Sequence, residues 1–299
     1  MAIKQAFVTL MPIIITGAFA VLVANMIMSP ETGLAHFEIF RFLAELQPIM
    51  KAINYATLNF LTIGAVFLIG IELGKINGHK SLFPGLMALI SFISVIPTTL
   101  LLEVDGSMRE VVDVLARQFS DPKSLFLGMI IAIVSVEIFC KLTEVKWLQI
   151  KMPDSVPSNV ATSFSSLFPS IITITIISSF GFAFHRVTGI YLHEAVYNVV
   201  QRPLESVVQG LPGILTLMFV AQFFWVIGIH GNQMIKPIRE PLLLGSIAVN
   251  MTAFQEGKEI PNIITMPFWD VYMSIGGSGV TIGLLVAIFI AGRREEMRS

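Results

Sequence analysis

Apolar runs close to the length of a membrane crossing recur from one end of this chain to the other. A crossing helix needs roughly 20 predominantly apolar residues, because the hydrocarbon core is about 30 Å thick and a helix rises about 1.5 Å per residue. Residues 7–28, 58–74, 82–102, 125–140 and 164–184 are five such runs, and 211–229 and 272–291 are two more. Inside hydrocarbon every backbone N–H and C=O must find its partner within the chain, which leaves a helical bundle as the fold open to such a pattern. Charge content agrees, at 13% of residues against about 25% in soluble domains. The expected class is all-α: a polytopic membrane protein of about 7–8 transmembrane helices with interfacial amphipathic helices and a re-entrant segment. The re-entrant candidate is 232–270, whose apolar core, 242–254, is short for a full crossing.

Several function classes drop out at once. Net charge is −1, so nucleic acid is not an expected partner. Cys140 is the single cysteine; no intramolecular disulfide can form, and a buried, inert thiol is expected. The sequence start carries no signal-peptide pattern. Zinc-ligand spacing, a Walker A run and a supported Ser/His/Asp set are all missing from the sequence, so no metal and no cofactor are expected.

Orientation follows lysine and arginine in short loops. Lys75, His79 and Lys80 follow the second run, and Lys141, Lys146 and Lys151 follow the fourth. Both loops read as cytoplasmic. The connection 103–123 holds five acids and three bases and reads as external. The N-terminus is then expected on the cytoplasmic side. Arg293, Arg294 and Arg298 place the C-terminal end inside as well, which favours an even number of crossings.

Residues 190–209 are amphipathic rather than spanning. Leu192, Val196, Val199, Val200, Leu204, Val207 and Val208 recur at helical spacing, with His193, Glu194, Asn198, Gln201, Arg202 and Glu205 between them. Such a helix lies in the interface plane, and Pro203 is expected to kink it. Residues 34–53 are a weaker second case. The expected division is 1–188, a transmembrane half; 189–210, an amphipathic linker helix; and 211–299, a second transmembrane half.

Chemistry concentrates in that second half. The run Phe223-Phe224-Trp225-Val226-Ile227-Gly228-Ile229-His230-Gly231-Asn232 ends an apolar segment in a histidine between glycines. An ionisable group at such depth is a functional candidate by default. Gln222 shares a helix face with Trp225, and Asn232, Gln233 and Lys236 follow His230 directly. An aromatic plate beside amides and a charge suits a polyhydroxylated ligand. Pro267-Phe268-Trp269-Asp270 precedes Ile275-Gly276-Gly277-Ser278-Gly279, and that glycine cluster has open N–H groups to offer an oxygen. The loop Met152-Pro153-Asp154-Ser155-Val156-Pro157-Ser158-Asn159 reads as a capped, structured connection or a docking surface. Glu72 and Glu137 read as local partners of Lys75 and Lys141, with an ion or proton site as the minority reading.

Phe224-Trp225-Val226-Ile227-Gly228-Ile229-His230-Gly231 closely resembles the hallmark of the enzyme IIC membrane components of the bacterial phosphoenolpyruvate-dependent sugar phosphotransferase system, lactose/cellobiose family. Residues 2–20, 152–168 and 267–285 agree with that family in order and spacing. The resemblance implies a homodimeric permease of the bacterial inner membrane, with a dimer-interface half and a sugar-binding half. It implies a β-linked disaccharide substrate of the cellobiose, chitobiose or lactose type, phosphorylated on a 6-hydroxyl by a separate phosphorylated enzyme IIB that carries the phosphoryl donor. Carried over residue by residue, His230 is the catalytic candidate. Trp225, Gly228, Gly231, Asn232, Lys236, Trp269, Asp270, Gly276, Gly277 and Ser278 are the substrate-binding candidates. Trp269 stands where the family pattern has phenylalanine. The family also uses a glutamate in an Asn-Glu-Pro motif downstream of the Gly-Gly-Ser-Gly helix. Arg239-Glu240-Pro241 belongs to a different block, and Ser299 comes before that motif, so 211–299 is expected to be an incomplete sugar-binding half. Two other readings stay open: a stand-alone secondary transporter or channel coupled through Glu72 or Glu137, and a non-transporting truncated fragment.

Overall fold

The computed structural model describes residues 2–31, 33–104, 107–150, 153, 157, 160, 164–226, 231–255, 257–274 and 281–291. It divides into two units, Met1–Arg202 and Pro203–Ser299. The division falls inside the amphipathic segment 189–210.

The first unit begins with helix α1 (Ala2–Leu22), which runs on as a π-turn, Val23–Ile27. After 3₁₀ segments at Leu34–His36 and Glu38–Leu46 come α2 (Gln47–Leu58), α3 (Leu61–Ile76) and α4 (Phe83–Ser94). A hairpin of β1 (Leu100–Val104) and β2 (Ser107–Val111) comes next, antiparallel, pairing Leu100 with Val111 and Val104 with Ser107. Then come the single-turn α5 (Arg117–Ser120), α6 (Leu125–Thr143) and α7 (Leu167–Thr188). The amphipathic segment holds α8 (Leu192–Val196), a π-turn at Tyr197–Gln201, and α9 (Arg202–Gln209). The π-turn sits just before Pro203, the residue whose missing N–H breaks a regular ladder.

Helix α3 is the hub of this unit, packed on α1, α4 and α6. Its Gly70 and Gly74, four apart, lie on one face. A Cβ built at Gly70 would sit 2.7 Å from the Pro84 carbonyl oxygen and 2.9 Å from Gly85 Cα. At Gly85 it would meet the Phe67 carbonyl oxygen at 2.8 Å, and at Gly128 of α6 it would meet Val66 Cγ2 at 2.6 Å. Small residues let the backbones approach, the usual basis of helix association where lipid removes the hydrophobic driving force. Ala65, Val66, Ile69, Ala88, Phe92, Ala132, Val136 and Phe139 are fully buried around this crossing, and Cys140 is a buried free thiol.

Among the described residues, Ala2–Ile27, Glu38–Ile76, Pro122–Thr143 and Leu167–Thr188 are long and apolar enough to cross a membrane. Run length predicts about 7–8 crossings; two of those runs, 211–229 and 272–291, extend beyond the described residues, and Leu192–Gln209 with Leu211–Phe224 makes a bent pair that is a fifth span if taken as one. The run 82–102 is not one helix. Helix α4 stops after 12 residues, about 18 Å of rise. Pro97 disfavours helix in the residue before it, and the chain beyond it becomes β1. The segment 232–270 departs the other way, because helix there is continuous over 25 residues, Gly231–Gln255, rather than confined to 242–254.

At the end of the first unit that carries the hairpin, polar groups stitch α3 to the α5–α6 connection and to the amphipathic segment. Arg117 Nε donates to Asn59 Oδ1 at 2.6 Å, and Thr62 Oγ1 donates to the Asp121 carbonyl at 2.6 Å. His193 Nδ1 and Ser124 Oγ share a hydrogen bond of 2.9 Å, and Gln201 Nε2 donates to the Pro122 carbonyl at 3.0 Å. The sequence pattern puts His193 and Gln201 on the polar side of a surface helix; both are instead buried, each hydrogen-bonded to the loop that opens α6.

Asp121 caps that loop by accepting from Lys123 N–H at 2.9 Å. Desolvation by burial pushes its carboxyl up from 3.8 to about 6, against the lowering pull of the Lys123 hydrogen bond. The folded state therefore holds this proton over a range where the unfolded chain has lost it, so the contribution to stability falls as pH rises from about 4 to about 6. Asp121→Asn keeps an acceptor for the cap and removes the titration. Its thermal midpoint in detergent is expected to exceed that of the wild type above pH 6, with the gap closing as pH is lowered towards 4.

At the other end, Lys75 pairs with Glu72 at 2.6 Å, as the spacing predicts. Glu137 does not pair with Lys141. It accepts from Asn77 Nδ2 at 3.0 Å, because the turn after α3 brings that amide within reach.

Candidate functional site

The second unit holds α10 (Leu211–Val226), α11 (Gly231–Gln255), α12 (Met266–Phe268), which continues as a π-turn, Trp269–Met273, and α13 (Thr281–Ala291). Helices α10 and α11 pack on each other, and α11 also packs on α12. Gln222 and Trp225 both belong to α10, near its C-terminal end. Gln222 Nε2 is buried with no hydrogen-bond partner among the described residues. Gly228 and His230 lie outside the described residues. Gly231 and Asn232 open α11, and Lys236 sits in its second turn.

Helix α11 carries Pro237 and Pro241 four residues apart. Each removes a ladder hydrogen bond, so the carbonyls of Gln233 and Pro237 have no i+4 N–H to accept from. Between the prolines stand Arg239 and Glu240, which are 6% and 2% exposed. The Arg239 guanidinium carbon lies 4.8 Å from the centroid of the Trp269 ring. Its Nη2 is 3.9 Å from Glu240 Oε1. Trp269 is 0% exposed; the next residue, Asp270, is exposed. The sequence reading puts Trp269 among the substrate-binding candidates. In the fold its ring is buried beneath a guanidinium, so it acts as an anchor that carries Asp270.

Two amide side chains fix the segment leading to this anchor. Gln209 Nε2 donates to the Ile264 carbonyl at 2.7 Å, and Ile264 N–H donates to Gln209 Oε1 at 3.0 Å. Gln209 Nε2 also reaches Ser246 Oγ at 2.9 Å. Asn250 repeats the pattern, donating to the Asn262 carbonyl at 2.6 Å while Asn262 N–H returns to Asn250 Oδ1 at 3.0 Å. Each amide thus satisfies both backbone groups of one residue, and together they pin the approach to Pro267-Phe268-Trp269-Asp270. Gln209→Ala leaves both polar groups of buried Ile264 unpaired and is expected to cost roughly 2–4 kcal/mol, read as a lowered midpoint of unfolding in detergent.

Trp225, Asn232, Lys236, Trp269 and Asp270 are thus found at the C-terminal end of α10, the first turns of α11 and the π-turn after α12. Gly276, Gly277 and Ser278 lie outside the described residues, as do the side chains of Trp225 and Lys236. In the loop 152–159 only Pro153 and Pro157 are described. Arg239 and Glu240 belong to the polar run that follows His230 in sequence, whereas Gln209 and Asn250 are the residues that motif reading misses. Their one sequence signal is polarity within apolar surroundings, which is weaker than a motif but is the mark of a group that the fold must satisfy. The chemistry on offer is hydrogen bonding by amides, carboxylates and a guanidinium, suited to hydroxyl groups. Among the described residues no cluster of His, Cys, Asp and Glu could hold a metal ion.

Comparison with known proteins places this geometry. The family model described as "Phosphotransferase system, EIIC" matches residues 4–299. The oligo-beta-mannoside-specific EIIC component of Bacillus subtilis (strain 168) is 30% identical over 297 residues, covering 99% of this chain and 65% of that protein. The lichenan permease IIC component of the same organism is 30% identical over 299 residues, with the same two coverages. The crystal structure of the transporter ChbC, the IIC component from the N,N'-diacetylchitobiose-specific phosphotransferase system, superposes with a TM-score of 0.82 at 28% identity, covering 99% of this chain and 68% of that one. The chain spans 65% of the length of the two curated relatives.

Proposed function

This chain belongs to the EIIC family of the phosphotransferase system, a family of membrane proteins, and from that premise we propose that it takes part in moving a β-linked disaccharide across the bacterial inner membrane with phosphorylation of the sugar. The observation that carries the reading is the family match over residues 4–299, within which the Gly-Ile-His-Gly and Gly-Gly-Ser-Gly blocks stand in the family order. The named relatives are an oligo-beta-mannoside-specific component, a lichenan permease and an N,N'-diacetylchitobiose-specific component, which supports an oligosaccharide substrate here.

In the proposed reaction a 6-hydroxyl of the bound sugar attacks the phosphorus of the phosphocysteine on enzyme IIB. The new O–P bond forms as the S–P bond breaks, the thiolate leaves, and the hydroxyl proton passes to His230. Such transfer depends mainly on positioning and charge stabilisation, and an imidazole titrating near neutral pH is a suitable base. Trp225 is assigned to stacking on the sugar, with Gly228, Gly231, Asn232 and Lys236 beside it. Asp270, Gly276, Gly277 and Ser278 form the facing wall, supported by Trp269. The proposal includes a homodimer formed through residues 1–188, a linker at 189–210, a sugar-binding half at 211–299, and a cytoplasmic N-terminus. Ion coupling through Glu72 or Glu137 is less well supported, since Glu72 is paired with Lys75 and Glu137 holds Asn77.

The test is accumulation of labelled cellobiose in cells that express this chain with or without the soluble phosphotransferase proteins. Label recovered as a sugar phosphate, and only with those proteins, is expected. Uptake of free sugar driven by a proton or sodium gradient would overturn the proposal in favour of a secondary transporter.

A further inference from the structure

The buried charge cluster on α11 is not accounted for by the proposed transfer chemistry. A buried arginine is costly, and an uncompensated one is rarely retained without a role. Here it stands 3.9 Å from Glu240 Oε1 and lies on the ring of Trp269, the residue next to Asp270. The ring of Trp269 is occupied by the guanidinium, so the indole is not free to stack on a sugar. Among the described residues, Arg239 Nε and Trp269 Nε1 also have no hydrogen-bond partner. Charge and stacking hold this pair together.

We propose that Arg239 is a positioning residue: stacked on Trp269 and drawn to Asp270, it fixes the exposed Asp270 carboxylate where that group accepts a hydrogen bond from a sugar hydroxyl. The device joins α11 to the π-turn that follows α12. Lysine cannot replace it, since an ammonium has no planar face to lie on an indole. The predicted consequence is an effect on substrate affinity rather than on turnover.

Two arms test this on the full chain. The first needs no sugar function. Cys140 is buried, so a thiol placed by Asp270→Cys is labelled selectively by a water-soluble thiol reagent. With Arg239 present the guanidinium stabilises the reactive thiolate, and adding Arg239→Gln is expected to slow labelling at pH 7 about tenfold. An unchanged rate in folded protein overturns the proposal. The second arm rests on the proposed sugar function and measures cellobiose phosphorylation in membranes supplied with the soluble phosphotransferase proteins. Arg239→Lys and Asp270→Asn are each expected to raise KM about tenfold with kcat within about twofold, and the double variant to raise it no further, because the two residues act as one unit. KM effects that multiply in the double variant, or a loss confined to kcat, would overturn it. Wild-type membranes that phosphorylate no sugar would sink the functional reading and leave the thiol arm to decide the position of Asp270.

Discussion

His230→Ala is expected to lower the rate of sugar phosphorylation by about 10²–10⁴-fold, the usual contribution of a positioned general base, while the chain still inserts and folds. The expectation rests on chemistry and on sequence position. A sugar hydroxyl is a poor nucleophile until its proton has somewhere to go, and His230 is the titratable group within the glycine-flanked motif. Insertion depends on apolar length elsewhere in the chain, so the variant should reach the membrane in wild-type amounts. The discriminating control is Glu72→Gln. If transport were coupled to ions through that carboxylate, its loss would abolish uptake; under the phosphotransferase reading it is expected to leave phosphorylation within about twofold. The measurement is transfer of label from phosphoenolpyruvate to sugar, with membrane content checked by immunoblot.

Gly70→Val is expected to be the most disruptive single change in the first unit. A Cβ at Gly70 meets backbone on the facing helix, the Pro84 carbonyl at 2.7 Å and Gly85 Cα at 2.9 Å. Neither can rotate away, so α3 and α4 must separate. Overpacking usually costs 1–3 kcal/mol when side chains can yield; here the upper end, about 3 kcal/mol or more, is expected. Helix α3 also packs on α1 and α6, so a shift at Gly70 is transmitted to both. Low recovery of monodisperse protein from detergent is the expected readout. Gly78 is the contrasting position: it has positive φ and open space where a Cβ would go, so Gly78→Asn, a residue that tolerates that backbone region, should be recovered normally.

Much of this architecture is legible in sequence because the bilayer restricts the choices. Apolar run length predicts the helices at 2–27, 122–143 and 167–188 to within a few residues, and the spacing of Glu72 and Lys75 predicts their pairing. The failures share a cause, which is that run length records hydropathy and not backbone geometry. Residues 82–102 read as one crossing, but Pro97 ends the helical potential and the β-branched, apolar chain beyond it forms a strand. Residues 232–270 read as short because charged side chains and two prolines interrupt the apolar pattern. Yet the helix there persists, with Arg239 set against the Glu240 carboxylate and the Trp269 ring. His193 and Gln201 illustrate the same limit, since their polarity marks a need for partners and not which side those partners lie on. In the candidate site the motif residues are legible by type and spacing. The clamps at Gln209 and Asn250 and the stacking of Arg239 on Trp269 depend on contacts between residues 12 to 55 apart and have no local signature.

The product formed by wild-type chain reconstituted in vesicles, with labelled phosphoenolpyruvate, the soluble phosphotransferase proteins and cellobiose, tests the central claim most directly. Phosphorus–proton coupling in the sugar recovered from the receiving side is expected to place the phosphate on a 6-hydroxyl, with no product when enzyme IIB is omitted. Free, unmodified cellobiose crossing the vesicle membrane at the same rate without enzyme IIB would contradict it.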